Sequence, residues 1–438
     1  MKRLHFLFFV VVVIVLFFII GHTAGVVYPP NTLFGQNDSS STETEEVIED
    51  PNDLLFEPDL RSVKLLTAGG IFPHIPQIEQ AHTGDGIYDF SPSFEFIAPL
   101  FSKSDIVVVN LETSQAGPDI SFLGTRGYTG FPLFNAPQEL SVALRDAGVD
   151  LIALSNNHAL DRGYEGLLTT IDHLHSIGLK SFGAYKTQQE RDRILIVGRN
   201  GINIAFIGYT FSTNGIPVPE GHEYCINYAP GFNDLTEIIT DIQRARAQGA
   251  DFVAVFPHWG EDEYSQEPHP QRLREVAAEL AAAGADLIIG GHPKFVQPLE
   301  WFFNKRSDGS ERATLAVYSQ GTLLSNQHYP ANVSPRVEYH LLLDIELTKN
   351  MNSGEAWLSK VDYEITWIHR LWRHRILPLS AVFAGVPADY SLSAEKVEEL
   401  RSWHTRTIEA AEAYGYSEDK LKALALAEQM YDQAYAAE

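Results

Sequence analysis

Cysteine is nearly absent from this 438-residue chain: Cys225 stands alone. No intrachain disulfide can form, and neither a Cys-ligated zinc site nor a Cys-X-X-Cys redox motif exists, so any metal must be held by nitrogen and oxygen. Basic charge is also scarce, with 32 Lys and Arg against 57 Asp and Glu and a net charge of -25. Such a balance argues against a nucleic-acid backbone or an anionic bilayer surface as the main partner. The length exceeds one typical domain, although a single large α/β domain with additions accounts for most of it.

What the sequence does have begins at residue 1. Lys2 and Arg3 precede an apolar run from Phe6 to Ile20, the pattern of an export signal whose basic end stays in the cytoplasm. Counted from Leu4 to Val27 the segment is long enough to span a bilayer. His22 and Thr23 before Ala24 make a poor cleavage site. Residues 1–27 are therefore expected to be an uncleaved single-pass membrane anchor, with the folded part on the extracytoplasmic side. Residues 28–61 turn to Pro, Asn, Ser, Thr and acids and read as a flexible acidic linker.

Beyond the linker one local plan recurs: an Ala/Leu-rich helical segment, a Gly, an Asp, a short apolar run and a polar cluster. The copies are "ALRDAGVDLIALSNNH", "RARAQGADFVAVFPHWG" and "ELAAAGADLIIGGHP", while "SKSDIVVVNLE" keeps all but the Gly. Continuous apolar runs alternating with helices indicate an α/β fold with mainly parallel or mixed sheets buried on both faces. Open sheets of this kind bind ligands at the carboxyl ends of their strands. Here those ends carry Asn110 and Glu112, Asn157 and His158, His258, and His292. A single Asn in a turn ordinarily serves the backbone, and a lone His is ordinarily a hydrogen-bonded structural residue. The recurrence over four strands is what points to a shared metal or phosphate site.

The blocks "YDFSPSFEFIAPLFSKSDIVVVNLETSQAG", "LIALSNNHALDRGYEGLLTTIDHL", "FPHWGEDEY", "GADLIIGGHPKFVQPLE" and "AVYSQGTLL" come in the order and spacing of the CapA/PgsA capsule-synthesis proteins. The chain resembles that family over roughly residues 62–348, which is thus expected to be one domain, with 349–438 a C-terminal strand and helical extension. The family is related to the calcineurin-like metallophosphoesterases, so the resemblance implies a sandwich of mixed sheets flanked by helices. It also implies a role in making or exporting a poly-γ-glutamate type polymer, with that anionic polymer or a phosphoester as ligand and membrane synthase or export subunits as partners. In the metallophosphoesterase logic Glu112 is the bridging carboxylate, and Asn157, His258 and His292 complete the second metal site. Imidazole and amide oxygen suit zinc, manganese or iron rather than calcium. His158 fits the group that protonates the leaving oxygen. Asp161 either orients that imidazole or caps the helix beginning near Gly163.

The first metal site departs from the family pattern. Gly70 stands where an Asp is usual, His74 is retained as a candidate ligand, and Lys294 replaces the second His after the Gly-Gly-His-Pro turn. One ion rather than two is expected. An ammonium at Lys294 would replace part of the missing charge, satisfying Glu112 and holding an anionic ligand group together with Asn110. The family implies hydrolase chemistry, and the missing ligands leave open whether this chain performs it.

Overall fold

The computed structural model describes residues 58–260, 271–305, 309–331, 334–387 and 392–436. The expected anchor (1–27) and nearly all of the linker lie outside the described residues, as do Glu261, Asp262 and Glu263 of the "HWGEDEY" block. No helix among the described residues is long and apolar enough to cross a membrane.

In chain order the strands are β1 (Leu60–Ile71), β2 (His82–Gly84), β3 (Ile87–Tyr88), β4 (Ile106–Leu111), β5 (Leu151–Ala153), β6 (Lys180–Phe182), β7 (Leu195–Arg199) and β8 (Ile202–Thr210). They continue with β9 (Phe252–His258), β10 (Leu287–Ile289), β11 (Leu299–Lys305), β12 (Glu311–Val317), β13 (Tyr339–Asn350), β14 (Ala356–His369) and β15 (Arg375–Pro378). The helices that cover them are α1 (Ile75–Ala81), α2 (Glu139–Asp146), α3 (Gly163–Ser176), α4 (Thr236–Ala247), α5 (Gln271–Ala283), α6 (Ala394–Ala411) and α7 (Tyr416–Ala436).

One sheet has the order β15-β14-β13-β1-β4-β5-β6 and the other β11-β12-β10-β9-β8-β7; β2 and β3 form a small hairpin. In the first sheet β1, β4, β5 and β6 run parallel, and β13 joins β1 antiparallel. In the second, β8, β9, β10 and β12 are parallel and both outer strands antiparallel. This is the expected mixed α/β sandwich.

The period-2 alternation of a strand explains the continuous apolar runs. On β4, Ile106 and Val108 enter the core between the sheets, while Val107 and Val109 enter the core under α2 and α3. On β9, Phe252 and Ala254 face the first sheet and Val253 and Val255 face α4 and α5. The helices supply matching stripes, such as Leu273, Val276, Ala277 and Leu280 on α5, spaced three and four apart.

The recurring Asp has a structural reason. Asp105, Asp150, Asp251 and Asp286 each accept a hydrogen bond from a backbone N–H of the neighbouring strand close to where the two begin to pair, at Lys64, Val107, Asn203 and Val253, over 2.7–2.9 Å. Each therefore satisfies an edge donor and fixes where its own strand begins beside the next.

Two expected boundaries move. β1 begins at Leu60, inside the segment assigned to the linker. More substantially, the division at 348/349 falls within β13, and β14 and β15 complete the first sheet. Leu400 and Ala411 of α6 and Tyr416 and Ala423 of α7 join the core between the sheets. Residues after 349 are therefore part of the domain, because without them β13 would be an uncovered edge. Basic side chains between β14 and β15 find partners within the chain: Arg375 pairs with Glu95 at 2.5 Å and lies 4.0 Å over Trp372, and His374 sits between Gln80 and Asn326.

Candidate metal centre

Four of the parallel strands deliver polar groups to one place. Glu112 follows β4, its N–H bonded to Ile71 O so that the β1/β4 ladder runs on to the carboxylate. After β5 the chain turns through Asn156, whose amide donates to Leu111 O at 2.8 Å and Asn110 Oδ1 at 3.2 Å and accepts from the His158 N–H at 3.1 Å. That turn aims Asn157 and His158. On the second sheet His258 ends β9, and bonds from Gly291 N to Pro257 O and from Trp259 N to Gly291 O carry the β9/β10 pairing out to His292.

The two glycines before His292 have distinct local demands. A Cβ at Gly290 would lie 2.2 Å from Tyr318 O and 2.4 Å from Trp259 Nε1. Only glycine fits against that carbonyl and indole. Gly290→Ala is expected to cost about 1–3 kcal/mol or more, read as a fall in melting temperature; an unchanged melt would contradict this packing. His292 itself has φ of +91°, a backbone state that non-glycine residues hold only under constraint.

Glu112, His258 and His292 are buried, and their ligand atoms lie within 4.8 Å of one another. His258 Nε2 is 3.6 Å from Glu112 Oε1 and 2.8 Å from Asn157 Oδ1. Burial, followed by the neighbouring His292 and Lys294, pushes the His258 imidazole well below its ordinary value. Burial and then Lys294 do the same to His292. Both rings are therefore neutral at pH 7 and carry a lone pair, the form that binds metals. His292 Nδ1 is buried with no hydrogen-bond partner. Two neutral imidazoles, one carboxylate and one amide oxygen, with an orphaned ring nitrogen among them, fit a borderline divalent cation.

A protein cation stands beside this set. The buried Lys294 ammonium donates to Glu112 Oε1 at 2.7 Å and lies 4.4 Å from the centre of the Phe72 ring. Gly70, where a further carboxylate would be needed, has φ of +59°, and a Cβ there would lie 3.1 Å from both Gly321 O and Thr322 Cα. His74, expected on the first-metal side, is not among the atoms that converge at Glu112, His258 and His292. It precedes α1, where its Nδ1 accepts from the Asn326 N–H at 3.3 Å and its ring packs edge-on against Phe134. Burial and Lys294 lower its imidazole to about 4. Asn110 is half-buried and its carbonyl is taken by Asn156, so its place is beneath the turn.

His158 and Asp161 form a pair, Nδ1 to Oδ2 at 2.7 Å, and the same carboxylate oxygen accepts the Phe134 N–H. Burial holds the Asp161 carboxyl above its usual range, opposed by His158. α3 starts after Arg162 with no side-chain cap bond, so of the two roles open to Asp161 the structure places it on the imidazole. Sequence reading missed Asn156, the first of the two asparagines in the "SNNH" run, and Asn214 and Phe211, which come from a segment with no periodic pattern. Phe211 lies 4.7 Å from the His292 ring, centre to centre.

Residues 64–327 match the family described as bacterial capsule synthesis protein PGA_cap. The PGA biosynthesis protein CapA of Bacillus subtilis (strain 168) is 27% identical over 259 residues, covering 57% of this chain and 60% of that protein. The capsule biosynthesis protein CapA of Bacillus anthracis is 27% identical over 261 residues, covering 52% and 60%. The chain thus spans 60% of the length of each of these relatives. Among solved structures, the NAD nucleotidase NadN of Haemophilus influenzae aligns with a TM-score of 0.44 at 12% identity, over 78% of this chain and 62% of that one. The calcineurin-like phosphoesterase YfkN of Bacillus subtilis aligns with a TM-score of 0.40 at 15% identity, over 80% and 98%.

Proposed function

The chain belongs to the bacterial capsule synthesis protein PGA_cap family, and from that premise we propose that it acts in making or exporting an anionic envelope polymer of the poly-γ-glutamate type. The observation that carries the reading is the buried Lys294 ammonium on Glu112, beside a ligand set suited to one cation. A fixed positive charge and a single ion together favour holding carboxylate or phosphate groups; a bridged metal pair would favour activating water. The basic, apolar N-terminus supports a single-pass anchor with the domain on the extracytoplasmic side of the cell membrane, where membrane synthase or export subunits would be its partners.

A second reading, a single-metal hydrolase of phosphate esters or polymer amide bonds, is favoured by the His158–Asp161 pair. An ion held by Glu112, Asn157, His258 and His292 supplies Lewis-acid polarisation of a phosphoryl or carbonyl oxygen when bound. His158, kept in one orientation by Asp161, would hold the proton that a leaving oxygen requires.

Elemental analysis of protein purified without chelator is expected to return one equivalent of manganese, zinc or iron; two equivalents would overturn the single-ion assignment. Binding of poly-γ-glutamate that Lys294→Gln weakens supports the polymer role. Turnover of a generic phosphodiester that vanishes in His158→Ala supports the hydrolase, and a protein that neither binds the polymer nor turns over the ester sinks both.

A further inference from the structure

The Asn157 amide has two unlike ends, and only Oδ1 can face a cation; a half-turn of the group would present its NH2 instead. Here Oδ1 faces His258 Nε2 at 2.8 Å, while Nδ2 donates to Asn214 Oδ1 at 3.0 Å. Asn214 lies in the segment that leaves β8, in a left-handed conformation with φ of +53°. Its N–H donates to Ser212 Oγ at 3.0 Å, and the turn is closed by the Ile216 N–H on Thr213 O and by Thr213 Oγ1 on Ile216 O. The root of the segment is tied to the centre, because the Phe211 N–H donates to His258 O at 2.9 Å. The other end of the Asn214 amide stands 3.3 Å from His158 Nδ1. One exposed side chain thus touches both a candidate ligand and the candidate acid.

We propose that Asn214 is a positioning residue: by accepting from Asn157 Nδ2 it keeps the Asn157 oxygen turned toward the ion. The inference rests on the reading that Glu112, Asn157, His258 and His292 hold one cation. The test is isothermal titration of the metal-stripped full chain with Mn2+ and with Zn2+, in wild type, Asn214→Ala, Asn214→Asp and Asn157→Ala, together with the metal-free melting temperature of each. Loss of a group that orients a ligand costs roughly 10- to 100-fold in metal affinity. Asn214→Ala is expected to show that loss with an unchanged metal-free melt, and Asn214→Asp, which keeps the acceptor oxygen, is expected to bind close to wild type. If Asn157→Ala weakens binding and Asn214→Ala does not, the inference fails while the metal reading stands. A lower metal-free melt in Asn214→Ala, or failure of Asn214→Asp to rescue, also overturns it. Wild-type affinity in Asn157→Ala removes the ligand assignment and this inference with it.

Discussion

Acidification is expected to unfold the domain cooperatively between about pH 6 and pH 4. His258, His292, His340, His369 and His374 are all buried. Burial lowers each, to about 3 for His340 and His374, to about 4 for His369, and well below the ordinary value for His258 and His292. Above the unfolded-state value of about 6.5 neither state is protonated and nothing is lost. Below it the unfolded chain binds protons that the folded chain refuses, so stability falls as pH falls, by about 1.4 kcal/mol per pH unit for each group. Several such groups together approach a typical stability of about 5–15 kcal/mol within roughly two pH units. Asp161 and Asp344, raised by burial, act in the opposite direction, but only as pH approaches the carboxylate range. Thermal melts from pH 7.5 to pH 4 test this, and a melting temperature that holds steady down to pH 5 would refute it.

Lys294→Met is expected to destabilise the metal-free protein by about 3–5 kcal/mol, because it leaves the buried Glu112 carboxylate without its cation. The ammonium sits 2.7 Å from Oε1 with both side chains almost wholly buried. Methionine fills much of the same volume, so the loss measures charge more than packing. A divalent ion added afterwards should recover more stability in the variant than in wild type, since it alone can then neutralise Glu112. Chemical denaturation with and without Mn2+ reads both effects, and equal metal-free stability of the two proteins would refute the pairing. Restoring an Asp at position 70 is a poorer route to a second ion. Its backbone is left-handed and a Cβ there crowds Gly321 and Thr322.

The sandwich was legible because its signals are local. A helix ending at Gly148, Gly249 or Gly284 with positive φ, an Asp and an apolar run can be recognised within a few residues, and the polar strand ends follow from that plan. The contacts that define the centre are not local. His258 meets Asn157 across 101 residues and Lys294 meets Glu112 across 182; the recurring plan put the polar strand ends at one edge, and the family resemblance supplied their roles. The surroundings of His74 are equally non-local: its spacing from Gly70 matches the family, while its ring meets Asn326 and Phe134. The boundary at 349 was misplaced because resemblance ends there, although β13 does not. Asn214 had no signal at all, since a lone Asn in an aperiodic segment is ordinarily a turn residue.

Glu112 and Asn157 come from the first sheet, His258 and His292 from the second. An ion gripped by all four would be a rivet through the seam of the sandwich. Its loading and the mutual docking of the sheets at that end would then be one thermodynamic event, with each raising the apparent affinity of the other. The ambient level of the cation would set how tightly that edge is clamped, whether or not any bond is ever broken there.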